Sequence, residues 1–133
     1  MNDSLWLCMA PDFRYAGAMG TMIYKAVPAP MWQQAQKERQ WHGAPIDLSD
    51  GYIHFSTAEQ LSETLAKHFS GQGDLVLVAI DEDRLGPALR WEVSRGGALF
   101  PHLYAPLSTD DVDWVDDLPL DADSRHILPE RVA

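Results

Sequence analysis

The chain has 133 residues, of which 20 are acidic and 10 are basic, so its formal net charge is −10. This length predicts a single domain. A hydrophobic content of 46% with 23% charged residues excludes a largely disordered, collagen-like or coiled-coil chain. The single cysteine, Cys8, excludes an intramolecular disulfide and a multi-cysteine zinc site.

The charge and hydropathy patterns also limit the partners and the location. An acidic chain repels the phosphate backbone, so a nucleic-acid partner is disfavoured. No run of about 18 apolar residues is present, which predicts no membrane span. Asp3 precedes the short apolar run LWLCMA, unlike the start of a secretory signal, so we expect a cytoplasmic protein.

Three segments are predicted along the chain. Residues 1–21 show no helical or strand period and are interpreted as a loosely held arm, disordered or an over-long gene start; the alternative is a segment that packs on the domain. We expect their deletion to lower the melting temperature by only a few degrees. Residues 22–118 are predicted to form one α+β domain. Residues 119–133 are predicted to be an acidic, frayed C-terminal tail.

The predicted elements follow in chain order. MIYKAV is a strand, and APMWQQAQKERQW is a helix with Pro30 in its first turn. HGAPIDLSDG is a loop and YIHFS is a strand. A helix over 57–69 follows, with Ser56 and Glu59 as its capping box.

Strands dominate the second half. DLVLVAID is apolar throughout and is therefore predicted to be a central strand. ALRWEVS, part of RGGALFPHLY, and DVDWVDDLP are predicted as further strands. The predicted core consists of Ile23, Val27, Trp32, Ile53, Phe55, Leu61, Leu65, Phe69, Leu75, Leu77, Ile80, Leu89, Trp91, Leu99, Leu103 and Val112.

Three polar patches are candidates for chemistry. On a strand, Tyr52, His54 and Ser56 share one face while Ile53 and Phe55 share the other, so His54 and Ser56 meet a cleft or solvent. Ser56 beside a helix N-terminus suits an anion or carbonyl group. The alternative is that Ser56 is only an N-cap and His54 only an exposed histidine.

The other two patches lie on later strands. Glu92 shares a face with Arg90, either as a carboxylate beside a cleft or as part of a solvated face. His102 and Tyr104 follow Pro101 and point the same way, towards a site or into a hydrogen-bonded packing corner. The spacing supports neither a metal site nor a serine nucleophile.

The blocks MIYKAV, DGYIHFSTAEQLSETLAKHF, DLVLVAID, RWE and LFPHLY, with Trp32 between the first two, resemble the bacterial family called domain of unknown function 952. The resemblance implies an ADP-ribosyltransferase-like fold: an α+β domain with two helices and a strongly bent, split, antiparallel or mixed sheet. It also implies a cleft that holds NAD as a substrate. A weaker resemblance is to RNA 2'-phosphotransferases.

The resemblance carries over the positions of the site residues, and their roles are hypotheses. Glu92 and His54 are predicted to be catalytic, with Glu92 steadying the ribose as nicotinamide leaves. The predicted ligand-binding residues are Lys25, Trp32, Ser56, Thr57, Arg95, His102 and Tyr104. Lys25 stands where the family pattern carries histidine, and lysine donates but does not accept hydrogen bonds.

Two function classes therefore stay open. One is an NAD-using transferase or NAD glycohydrolase, and the other is a binding module for a nucleotide-like small molecule or a protein. An RNA 2'-phosphate substrate is a third alternative, which the acidic charge disfavours. The sequence predicts that His54, Glu92 and His102 surround one cleft, with side chains closer than about 15 Å, roughly half a small domain.

Overall fold

The computed structural model describes residues 20–132. Within that range the chain forms three α-helices and eight β-strands. The helices are α1 (Ala29–Glu38), α2 (Pro45–Asp50) and α3 (Ala58–His68), and the strands are β1 (Met22–Pro28), β2 (Gln40–Trp41), β3 (Ile53–His54), β4 (Leu75–Asp81), β5 (Leu89–Val93), β6 (Leu99–Leu103), β7 (Leu107–Ser108) and β8 (Trp114–Leu118). The α+β class is confirmed.

The strands form three antiparallel ladders. Their orders are β1-β4-β8, β2-β7 and β3-β6-β5. Every residue of β4 is buried, as predicted for a central strand without polar alternation. No parallel pair occurs among the described strands, so the sheet is antiparallel rather than mixed.

One isolated bridge connects the first and third ladders. The Tyr24 N–H donates to the Ser56 carbonyl at 2.8 Å, and the Ser56 N–H donates back to the Tyr24 carbonyl at 2.9 Å. Next to it, the Phe55 N–H donates to the carbonyl of Pro101 on β6 at 3.0 Å. The β1-β4-β8 and β3-β6-β5 ladders are therefore joined at Tyr24 and Ser56.

The helix α3 follows its predicted apolar stripe. Leu61 and Leu65 lie one turn apart and are both buried, at 1% and 3% exposure. Fully burying a leucine side chain stabilises the fold by about 1.5–3 kcal/mol. They pack with Tyr24, Leu77 and Leu118, so α3 covers one face of the β1-β4-β8 ladder.

A second core cluster covers the other face of that ladder. It joins Ile23, Val27 and Ile80 to Trp32 of α1 and Trp41 of β2. Most predicted core residues belong to the two clusters.

Some core predictions are not met. Leu99 is wrong as a core residue because it is 51% exposed. Phe69, Leu89, Trp91 and Val112 are only partly buried and pack against the cluster edges.

The local predictions fail at several points. A third helix, α2, occupies the segment predicted as a loop; Pro45 opens it, and Gly51 ends it with φ at 91°. The N-cap of α3 is Thr57 rather than Ser56: the Gln60 N–H donates to Thr57 Oγ1 at 3.3 Å. The backbone N–H and carbonyl of Ser56 instead form the β-bridge with Tyr24.

The C-terminal segment packs on the domain instead of fraying. Leu128 and Val132 contact the cluster beneath α3. Arg131 forms two hydrogen bonds to Asp116, at 2.9 and 3.0 Å, and its guanidinium lies 4.2 Å from the centroid of the Trp114 ring. The N-terminal arm, residues 1–21, lies outside the described residues except at its last two positions.

Candidate functional site

A cleft lies beside the bridge of Tyr24 with Ser56, where the β1-β4-β8 and β3-β6-β5 ladders meet. Its volume is about 790 Å³, within the range of small-molecule sites. Its polar lining includes Lys25 from β1, His54 from β3, Ser56 from the bridge and His102 from β6. Phe55, Phe69 and Phe100 contribute apolar walls.

Asp47 is a buried carboxylate that contacts two residues of the cleft lining, Lys25 and His54. Its side chain is fully buried, and it holds α2 against two strands. Oδ1 accepts from Lys25 Nζ at 3.1 Å and from the His54 backbone N–H at 3.1 Å, and it lies 2.6 Å from His54 Nδ1. Oδ2 accepts the Ala44 N–H at 2.8 Å. Four donors therefore offset the cost of burying this carboxylate.

The ionisation of this pair follows from burial and charge. Burial acts to raise the pKa of Asp47, but the hydrogen bonds from His54 and the charge of Lys25 outweigh it, so the pKa is lowered. Burial lowers the pKa of Lys25, which is 9% exposed, and Asp47 offsets this only in part. The Lys25 Nζ also lies 5.8 Å from the centroid of the Trp41 ring.

His54 lies between two carboxylates. Its Nδ1 faces Asp47, and its Nε2 lies 2.9 Å from Asp50 Oδ2. Ionised carboxylates only accept hydrogen bonds, so these contacts suit a ring that donates from both nitrogens. The side chain is 30% exposed and lines the cleft.

A second acid–base pair joins β5 to β6. His102 Nδ1 lies 2.7 Å from Glu92 Oε1, and the same oxygen accepts the Tyr104 hydroxyl at 2.7 Å. Hydrogen bonds from His102 and Tyr104 lower the pKa of Glu92, and the same carboxylate raises the pKa of Tyr104. Glu92 is therefore the ionised acceptor of this group at neutral pH.

The other ring nitrogen of His102 has no partner. Nε2 is buried and forms no hydrogen bond, and His102 as a whole is 3% exposed. A buried polar atom left unpaired costs about 1–3 kcal/mol. Buried polar atoms are almost always paired in folded proteins, so a donor for this nitrogen is expected when the cleft is filled.

Tyr52 packs the two acid–base pairs together. Its ring stacks on His102 at a centroid distance of 4.2 Å and lies 4.6 Å from His54 and 5.1 Å from Tyr104. The centroids of His54 and His102 are 5.4 Å apart. Burial, then the charges of Asp50 and Glu92, raises the pKa of Tyr52.

The structure brings together the three residues predicted to surround one cleft. His54 and His102 line it directly. Glu92 contacts His102 but is not a lining residue, so it reaches the cleft through that imidazole. Whether these residues are catalytic stays a prediction.

Only some of the predicted ligand-binding residues line the cleft. Lys25, Ser56 and His102 line the cleft, and the Ser56 hydroxyl lies 3.0 Å from Thr64 Oγ1. Thr57 caps α3 and Tyr104 binds Glu92, neither lining the cleft. Trp32 lies in the core at 3% exposure, and the side chain of Arg95 lies outside what the structure describes.

Asp47 and Asp50 were not predicted as site residues, and Tyr52 was predicted only to share the strand face of His54 and Ser56. A proline followed two residues later by an aspartate, as at Pro45 and Asp47, is a helix-start signal that could have placed α2. Nothing local indicates that the Asp47 carboxylate turns inward to Lys25.

Two further observations concern metals and membranes. In residues 20–132, no group of three potential ligands converges closely enough to hold a metal ion. Among the same residues, no helix has the length and apolar character needed to cross a bilayer.

The family model for "Protein of unknown function (DUF952)" matches residues 26–115. The chain belongs to this family. Its structure is similar to the crystal structure of protein CC0527 from Caulobacter crescentus, with a TM-score of 0.79 and 48% identity over 81% of this chain and 95% of that one. The solution structure of CC0527 gives a TM-score of 0.72 and 48% identity over 78% and 90%. Among curated proteins, no match is found.

Proposed function

We propose that the cleft of this DUF952 protein binds NAD or a related nucleotide and cleaves the bond between nicotinamide and ribose. The observation that carries the proposal is the cleft of about 790 Å³ where the β1-β4-β8 and β3-β6-β5 ladders meet, with His54 and His102 in its lining. An ADP-ribosyltransferase-like fold, which the sequence blocks imply, holds its ligand in such a crevice. We therefore also propose that the fold is ADP-ribosyltransferase-like, with a strongly bent sheet.

The reaction assigned to the cleft is a hydrolysis or a transfer. The bond between ribose C1' and the nicotinamide nitrogen breaks, and its electron pair leaves with nicotinamide. Water or another hydroxyl then forms the new C1'–O bond and gives up its proton to a base. The carboxylates around the site favour the positive charge that develops on the ribose.

The contacts divide the work among the residues. Lys25 uses one donor on Asp47 and has two N–H groups left for ribose or phosphate oxygens. The Ser56 hydroxyl, in the same lining, offers a further donor or acceptor. Glu92, whose Oε1 already accepts two hydrogen bonds, acts through His102 rather than on the ribose itself.

A second candidate is a binding module without turnover. The ion pair between Lys25 and Asp47 favours it, since the residue at the usual histidine position is already engaged. Such a module would retain the cleft and hold a nucleotide-like molecule or a segment of a protein.

One set of measurements tests both candidates. We expect NAD and ADP-ribose to raise the melting temperature, because a ligand at 100 times its Kd stabilises the folded state by about 2.7 kcal/mol. Released nicotinamide, followed by chromatography, supports the enzyme, whereas stabilisation without release supports the module. If no nucleotide shifts the melting temperature, the proposal is overturned.

A matched pair of variants locates the effect. His102→Gln changes the cleft, whereas His126→Gln changes a partly buried histidine that binds the Gln72 carbonyl outside it. Only His102→Gln is expected to weaken the response to NAD. Equal responses in both variants would place the ligand elsewhere.

A further inference from the structure

The donor and the acceptor of the hydrogen bond between His102 and Glu92 can be assigned. Ionised Glu92 only accepts hydrogen bonds, so the proton in the contact of 2.7 Å belongs to His102 Nδ1. In the neutral imidazole, the other nitrogen then carries a lone pair and no hydrogen. Nε2 is thus an acceptor, and no described group donates to it.

The surroundings of the ring fix this arrangement. Tyr52 stacks on one face of the His102 ring at 4.2 Å, and the residue is 3% exposed. A 180° flip of the ring would put a carbon where Nδ1 contacts Glu92, so it would break that hydrogen bond. Tyr104 holds the Glu92 oxygen from a second side. These contacts hold the imidazole in one orientation in the cleft lining.

We infer that His102 Nε2 accepts a hydrogen bond from a hydroxyl group of the ligand, and that Glu92 is the positioning residue that fixes the tautomer able to do so. The ligand class is therefore a hydroxyl-bearing sugar, such as the ribose of a nucleotide, rather than a group that offers only acceptors. The inference rests on the proposed function in taking this cleft as the ligand site.

The first measurement needs no ligand. Side-chain nitrogen resonances of the full-length, ¹⁵N-labelled chain report which histidine nitrogen carries the proton. We expect His102 to be protonated on Nδ1 and unprotonated on Nε2 at neutral pH. A proton on Nε2 in place of Nδ1 would overturn the inference.

Two variants test the role of Glu92. Glu92→Leu removes the acceptor, and we expect the His102 resonances to move towards values averaged over both tautomers. Tyr104→Phe is the matched control, because it removes the second hydrogen bond to the same carboxylate oxygen and leaves the contact with His102. An unchanged tautomer in Glu92→Leu would remove Glu92 from the positioning role.

The second measurement uses probes that differ in hydroxyl groups. D-ribose at tens of millimolar is expected to shift the His102 Nε2 resonance, whereas tetrahydrofuran, a ring of similar size without hydroxyls, is not. A shift with D-ribose without a response to NAD or ADP-ribose would reject the nucleotide proposal and keep the hydroxyl site. Binding of NAD that leaves His102 Nε2 unchanged would keep the proposed function and reject this inference.

Discussion

Replacing Asp47 with asparagine should destabilise the protein more than any other conservative change at the site. The substitution removes the negative charge that lies 3.1 Å from the Lys25 ammonium and puts an amide where the carboxylate accepts four contacts. Lys25 is 9% exposed, so its charge would be left buried and uncompensated. Breaking a buried pair in this way costs about 3–5 kcal/mol.

The measurements are urea unfolding, for the free energy of unfolding, and thermal unfolding, for the melting temperature, both followed by circular dichroism. In a chain of this size, the expected loss lowers the melting temperature by about 10–20 °C. Asp50→Asn is the matched control: Asp50 also contacts His54, at 2.9 Å, but is 40% exposed, so its loss should cost less than about 1 kcal/mol. Similar costs for both variants would refute the assignment of Asp47 as the buried carboxylate of this site.

A double-mutant cycle isolates the pair. In Lys25→Met the ammonium is absent, so Asp47→Asn should cost less in that background than in the wild type, by at least about 1 kcal/mol. An additive cycle would show that the backbone contacts of Asp47 carry its contribution and that the ion pair does not.

The pH dependence of stability follows from the same carboxylate. Its pKa is lower in the folded chain than its ordinary value of 3.8, so the unfolded chain binds more protons between these two values. The free energy of unfolding therefore falls as the pH decreases through 3.8 towards the lowered pKa of Asp47. Asp47→Asn should flatten this acid limb, and an unchanged slope would contradict the lowered pKa.

The remaining predictions concern the ends of elements. Thr57→Ala should cost about 1 kcal/mol as the loss of an N-cap, and Ser56→Ala should cost less; the reverse order in urea unfolding would restore Ser56 as the cap. Gly51→Ala, at φ 91°, should cost about 1–2 kcal/mol although nothing lies within 4 Å of the added methyl, and a neutral result in thermal unfolding would argue against the left-handed turn. Arg131→Ala should cost less than about 1 kcal/mol, since its side chain is about half exposed; a loss above 2 kcal/mol would make the C-terminal segment a main source of stability.

The sequence predicts those elements whose own hydrophobic pattern is long enough to define them. The apolar run over 75–80 in β4 and the stripe of Leu61 and Leu65 in α3 are decided locally, and the structure has both. The strands β2 and β7 have two residues each, too short to show any alternation. The six-residue helix α2 likewise covers less than two turns, so proline and aspartate positions carry more information than hydrophobic period there.

Local pattern likewise predicted some of the site residues and could not predict others. Strand alternation placed His54, Glu92 and His102 away from the apolar faces, and the antiparallel register of β5 with β6 brings the last two side chains into contact. Asp47 could not be found this way, because its partner Lys25 is 22 positions away and the contact depends on how α2 docks. Trp32 was read as a ligand contact, but α1 presents it to the core.

The charges of the cleft explain which part of a nucleotide it is suited to recognise. Among the described residues that line the cleft, Lys25 is the one with a lysine or arginine side chain. Asp47 neutralises its charge. His54 likewise faces two carboxylates. Such a lining gives little net positive charge to a pyrophosphate, and the chain as a whole carries −10. The donors of Lys25 and Ser56 and the acceptor nitrogen of His102 instead match the hydroxyls and ring oxygen of a sugar. Recognition in this cleft is therefore expected to depend on the ribose, with the phosphates nearer to solvent.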